Sequence, residues 1–263
     1  MIKNITIGQY FPGDTIVHRL DPRTKLMLTF VYIAALFTAR GLWSYVLMFC
    51  VLVICFAISK IPPKTVLRGV RPILIIIIIT AMLNVFFTPG DVLLQIWRIS
   101  VTREGLIAAA FMVSRLFMLI TGTFLLTYTT SPIALTDGLE LLMNPLKKIR
   151  VPVHEFAMMM SIALRFIPTL IEETGKIISA QKARGADFET GNLLKRAKAM
   201  LPIIIPLFIS AFRRADELAV AMESRCYHGG EGRTRMKILK TATRDYLALF
   251  AGAAVLAAVI VLR

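Results

Sequence analysis

Two arginines close two stretches of similar composition, Ala180-Gln181-Lys182-Ala183-Arg184-Gly185 and Ala221-Met222-Glu223-Ser224-Arg225-Cys226, 41 residues apart. Each sets a single guanidinium among small residues that let another backbone approach. The planar guanidinium forms bidentate bonds to a carboxylate that lysine cannot match. A basic residue at a helix C-terminus also complements the helix dipole, and one site alone reads that way. The repetition points towards a paired docking device, and on spacing the two readings stay level.

Other reactive residue types form no constellation. His18, His154 and His228 are far apart and lack metal-binding spacing. His154-Glu155 and Glu172-Glu173 are adjacent pairs that converge on nothing else in the sequence. There is no GxxxxGK[ST] loop to cradle a nucleotide phosphate. Cys50 and Cys55 lie in an apolar run and Cys226 in a charged segment, which gives no disulfide framework and no metal cluster. These absences argue against an enzyme, and no cofactor is expected in this chain.

The elements that must position the arginines follow from composition. Of 263 residues 57% are hydrophobic, mean hydropathy is +0.71, and the formal net charge is +15. That is too apolar for an ordinary soluble domain. The basic residues are separated by long apolar runs rather than gathered on a polar domain, which excludes a nucleic-acid binder and suits a protein in the lipid bilayer. Met1–Gln9 shows no basic region leading into an apolar core, so no cleavable signal is expected.

Five stretches are read as spans: Leu26–Ala39, Leu42–Ser59, Pro72–Thr88, Gly105–Thr130 and Tyr246–Leu262. Arg23 and Lys25 flank the short first span and could snorkel to lengthen it. With only Arg40 and Gly41 between them, the first two spans should form a tight hairpin. The run Ile75–Ile79 favours strand in water, but lipid leaves an isolated strand unpaired, so helix is expected. Arg115 is the charge well inside a span; it either binds an anion or faces a partner or the cytoplasmic helices. Lys3, Arg19, Arg23 and Lys25, then Lys60, Lys64, Arg68 and Arg71, and the charged stretch from Ser131 to Asp245 place those regions in the cytoplasm by the positive-inside rule.

Three helical pieces are expected in that stretch. Ser131-Pro132 starts the first and Asn144-Pro145 ends it. A second runs from about Val153 to Ala183 and stops at Gly185; a third runs from about Leu193 to Cys226. Met200–Phe212 is short and carries Pro202 and Pro206, so it is read as part of a cytoplasmic or interfacial helix. Both long helices are apolar first and charged last. The fold class is an all-α integral membrane protein: 1–130 a four-span membrane domain, 131–245 a cytoplasmic coupling domain, and 246–263 a final span.

The sequence resembles the transmembrane T component of energy-coupling factor transporters, a branch of the ABC importers. Pro12-Gly13 with His18-Arg19-Leu20-Asp21-Pro22-Arg23-Thr24-Lys25 is similar to the family's N-terminal signature. Thr130-Ser131-Pro132 with Leu135–Glu140, Val151–Glu155, Ala163–Leu170 and Gly229–Arg235 resembles later family segments. The resemblance implies that the arginines dock into grooves of two ABC ATPase subunits. Ala183-Arg184-Gly185 matches that motif in full. Ser224-Arg225-Cys226 keeps the arginine and departs at both neighbours, so it matches that motif in part. It also implies that Phe156, Met158, Met159, Met160, Ile162 and Phe166 form a platform for one substrate-binding S component, as adaptable methionines would suit; the plainer reading is core packing. On this reading the chain passes ATP-driven motion to an S component for uptake of vitamins or metal ions, across the cytoplasmic membrane. A self-contained channel or secondary transporter is the alternative, and would need a polar path that Asn84, Arg115 and scattered threonines barely supply.

Overall fold

The computed structural model describes residues 10–96, 99–188, 192–229 and 239–262. Lys3, the Met1–Gln9 stretch and residues 230–235 of the glycine-rich segment lie outside these. The described residues divide into two compact units, one within 10–138 with 239–262, the other within 139–229.

The first unit holds α1 (Pro22–Thr38), α2 (Leu42–Ser59), α3 (Pro63–Val70), a 3-10 turn at Arg71–Ile73, α4 (Leu74–Phe87), α5 (Arg103–Thr129) and α9 (Thr243–Val261). The isoleucine run is helical, as lipid requires. Pro72 sits in the 3-10 turn, so α3, the turn and α4 form one helical stretch, Pro63–Phe87. The stretch between the second and third expected spans, which carries Lys64 and Arg68, thus contains α3. Between α4 and α5 a small antiparallel hairpin pairs β1 (Val92–Ile96) with β2 (Ile99–Thr102), Ile96 opposite Ile99. It was not foreseen, because each strand is too short for its pattern to stand out. Thr102 then starts α5: its hydroxyl accepts the Gly105 N–H at 3.1 Å and donates to the Thr88 carbonyl at 2.8 Å.

The core of this unit gathers Ala35, Leu36 and Ala39 of the α1 end, Tyr45, Met48 and Leu52 of α2, Met118 of α5 and Val259 of α9. The expected α1–α2 hairpin is joined by three residues, but α1 packs mainly along α9 and α5 rather than along α2. Small residues decide this. A methyl group on Gly252 of α9 would collide with Leu28, and one on Gly122 of α5 would collide with the Tyr32 ring. Where lipid removes the hydrophobic drive between helices, such close approach selects the neighbours. Outward faces carry Phe30, Phe37, Trp43, Phe87 and Phe250, all exposed and apolar, which only lipid or a partner accommodates.

The second unit contains α7 (Val153–Ala183) and α8 (Leu193–Glu223), after α6 (Pro132–Leu142), which crosses the unit boundary, and a 3-10 stretch at Asn144–Ile149. Ser131 caps α6 by accepting the Ala134 N–H at 3.3 Å. Met200–Phe212 is continuous helix within α8.

Among the described residues five helical stretches are long and apolar enough to cross a membrane: Leu42–Ser59, Pro63–Phe87, Arg103–Thr129, Val153–Ala183 and Thr243–Val261. This set differs from the five read in the sequence at one member. The first helix has 17 residues and spans about 25 Å, short of a hydrocarbon core of about 30 Å. In its place α7 qualifies on length and composition.

Candidate functional site: two arginine-bearing helix ends

Each arginine is placed by the way its helix stops. At the end of α7 the Arg184 N–H reaches the Ala180 and Gln181 carbonyls at 3.2 and 3.1 Å. The Gly185 N–H then bonds to Lys182 O at 3.0 Å and the Ala186 N–H returns to Gln181 O at 3.0 Å. This is a Schellman ending, which requires a left-handed residue after the cap; Gly185 supplies it at φ +83°.

The end of α8 repeats this geometry. The Cys226 N–H bonds to Glu223 O at 2.8 Å and the Tyr227 N–H returns to Met222 O at 3.1 Å. Cys226 is left-handed at φ +55°. Arg184 and Arg225 therefore occupy the same position, one residue before the left-handed turn. Both are exposed and, among the described residues, neither has an ion-pair partner. The sequence departure from glycine to cysteine leaves the backbone ending unchanged.

Side-chain contacts fix how the helices run. Glu173 of α7 pairs with Arg214 of α8 at 2.8 Å. Gln181, near the end of α7, donates from Nε2 to the Pro202 carbonyl at 3.4 Å, near the start of α8. That carbonyl needs a donor because Pro206, four residues on, has no N–H. The helices are thus antiparallel, and Arg184 and Arg225 stand at opposite ends of the pair. Each helix has 31 residues, about 46 Å of length.

The apolar halves are divided by this packing. Phe156, Met159 and Met160 are exposed, whereas Met158 is half-buried. Ile162 and Phe166 are half-buried and line a cleft of about 310 Å³ with Ala215, Leu218 and Met222 of α8. On α8, Leu201, Ile204, Ile205, Phe208, Ile209 and Phe212 are exposed.

The adjacent pairs singled out in the sequence are split by the fold. Glu173 is held by Arg214, and His154 Nδ1 lies 3.0 Å from Glu140 of α6 while Glu155 is exposed. Arg115 donates to the Tyr45 hydroxyl at 2.9 Å and the Ala39 carbonyl at 3.2 Å, within its own bundle. It serves the C-terminal end of α1, where carbonyls lack helical donors.

The residues of the N-terminal signature form a brace. Asp21 caps α1 by accepting the Arg23 N–H at 2.9 Å, and its own N–H donates to Asp245 Oδ1 at 2.8 Å. Arg23 turns back onto Asp21 and the Leu239 carbonyl. Lys25 is buried and donates to the His18 and Thr129 carbonyls at 3.0 and 2.8 Å, so it serves the C-terminal end of α5. The expectation that Arg23 and Lys25 snorkel is therefore corrected: carbonyls and a carboxylate inside the unit need those donors first. His18 donates from Nε2 to Phe11 O at 3.1 Å and accepts from the Thr15 hydroxyl at 2.7 Å, the neutral form that fits a pKa lowered chiefly by burial. Asp245 was missed in the sequence; its place in the first turn of α9, with Oδ2 accepting the Ala242 N–H at 2.7 Å, is the signal that could have found it.

An apolar helical bundle with outward faces that only lipid or a partner accommodates defines an all-α, multi-pass membrane protein. Comparison with known proteins sharpens the class. The family model described as CbiQ, cobalt transport protein, matches residues 13–237. Relatives named energy-coupling factor transporter transmembrane protein EcfT include those of Clostridium kluyveri (56% identical, covering 94% of this chain and 93% of the relative) and Ruminiclostridium cellulolyticum (55%, covering 94% and 92%). That of Bacillus subtilis is 47% identical, covering 93% of each chain. The chain belongs to this family, as a transmembrane component of energy-coupling factor transporters.

Proposed function

We propose that the chain is the coupling subunit of an energy-coupling factor importer, joining two ABC ATPase subunits to one substrate-binding S component. Ala183-Arg184-Gly185 and Ser224-Arg225-Cys226 each enter a groove of one ATPase subunit. The exposed apolar surface that includes Phe156, Met159 and Met160 receives the S component, with Met158, Ile162 and Phe166 supporting it from the cleft side. Residues 131–245 and the N-terminus face the cytoplasm; residues 1–130 and 246–263 hold the spans. On this reading α7 lies against the membrane rather than across it, because its later half carries Glu172, Glu173, Lys176 and Lys182. Closure of the ATPase pair on ATP binding moves the two tips, tilts the helices and reorients the S component, which delivers a vitamin or metal ion inside. ATP hydrolysis belongs to the partners.

One observation carries the reading: the same helix ending, with an exposed arginine that has no ion-pair partner among the described residues, stands at both ends of an antiparallel pair. Two identical or similar subunits would meet such a device symmetrically. The test is co-purification with the ATPase pair, together with ATP-driven uptake, for wild type, Arg184→Glu and Arg225→Glu. Loss of the complex or of uptake in both variants supports it. Variants that bind and transport like wild type overturn it.

A further inference from the structure

We propose that the face of α3 bearing Lys64, Arg68 and Arg71 binds the headgroups of anionic phospholipids. No aspartate or glutamate occurs between Asp21 and Asp91, whereas Lys60, Lys64, Arg68 and Arg71 fall within 12 residues. All four are exposed and, among the described residues, none has a carboxylate partner.

Helical spacing gathers the charge. At about 100° per residue, Lys64, Leu67, Arg68 and the start of the turn at Arg71 fall within one arc of roughly 100°. The opposite side is committed: Val70 is buried, Gly69 lies against Phe124 and Tyr128 of α5, and the Tyr128 hydroxyl donates to Thr65 O at 3.4 Å. The basic arc therefore has no place to turn but outward. Lys60, in a left-handed cap, adds a fourth cation where α2 ends.

The occupant follows from position and polarity together. The arc lies between two apolar stretches, α2 and α4, so it stands at the level where spans meet headgroups. Leu67 is 69% exposed at one edge of the basic arc. An exposed apolar side chain flanking a basic arc is the pattern of a helix in the membrane interface, with leucine towards the acyl boundary and cations towards phosphates. An acidic protein surface would satisfy the charge but would not need Leu67.

Native mass spectrometry of the purified full chain, with dioleoylphosphatidylglycerol or dioleoylphosphatidylcholine added to the micelles, tests this. Wild type should retain the anionic lipid at least about fivefold over the zwitterionic one, as expected for a few juxtamembrane cations. Lys64→Gln/Arg68→Gln should abolish the preference. Lys147→Gln/Lys148→Gln removes the same charge elsewhere and should keep it. In wild type the preference should collapse at about 1 M salt, where the Debye length is about 3 Å, a measurement that needs no variant to fold. Equal retention of both lipids by wild type, or a preference that survives the double substitution or the salt, overturns the proposal. So does a double variant that keeps its lipid yet loses a co-purifying subunit, which would give the face to an acidic protein.

Discussion

Gly185 and Cys226 hold the same left-handed position in two copies of one helix ending, although only one of them is a glycine. The hydrogen bonds that close α7 and α8 are the same in kind and differ by at most a few tenths of an ångström. The arginine before each is thereby aimed by backbone geometry rather than by side-chain contacts.

Cys226→Gly should stabilise the end of α8 by about 1 kcal/mol, since a residue with a Cβ is strained at positive φ. Hydrogen exchange at the Tyr227 amide, which returns to Met222, should slow by about fivefold. Gly185→Cys should show the reverse, because open space around Gly185 leaves backbone strain as the main cost. If neither amide responds, the two endings are not equivalent.

Glu173 and Arg214 are part-exposed, so their pair should be worth only about 0.5–1 kcal/mol in a double-mutant cycle with alanine. Gln181→Ala should cost less than that, because its bond to the Pro202 carbonyl is long (3.4 Å) and exposed, so water takes over the acceptor. Restoring a donor for that carbonyl by Pro206→Ala should offset part of the loss in thermal unfolding.

Asp245→Ala should lower stability by about 3 kcal/mol or more, because two backbone N–H groups, of Asp21 and Ala242, lose a buried carboxylate at once. Thermal unfolding in detergent measures it. A shift no larger than that of an exposed substitution such as Arg244→Ala would show the brace to be dispensable.

Gly252→Leu should push α1 away from α9, since even a methyl group there meets Leu28. Chain yield and unfolding temperature should fall together, and Leu28→Ala should rescue part of both. No rescue would mean that the two helices are not held at that point.

His18 gives a pH dependence with a definite sign. Its pKa is lowered in the folded chain, chiefly by burial, from an ordinary value of 6.5. The unfolded chain then binds the proton first, so the histidine's contribution is complete above about pH 6.5 and is lost as pH falls through the folded value. Thermal stability of wild type should drop over that window more than that of His18→Gln. A parallel drop in both would place the titration elsewhere.

Features encoded within a few residues could be read from the chain before any folding. Ser131-Pro132, the ends of α7 and the start of α8 were legible because caps and breakers act within a few residues. The apolar runs fixed the membrane environment, and the arginine at each helix end could be read from its neighbours. Tertiary structure decided everything that depends on partners distant in the chain. Asp21 meets Asp245 across 224 residues, and Lys25 meets Thr129 across 104, so neither the brace nor the burial of Lys25 follows from local pattern. In the same way α1 chose α9 over its neighbour α2 because Gly252 admits Leu28, a fit of surfaces that no periodicity records. The equivalence of Cys226 with Gly185 was hidden for a related reason. Composition says which residue prefers positive φ, whereas the helix that must end there imposes it.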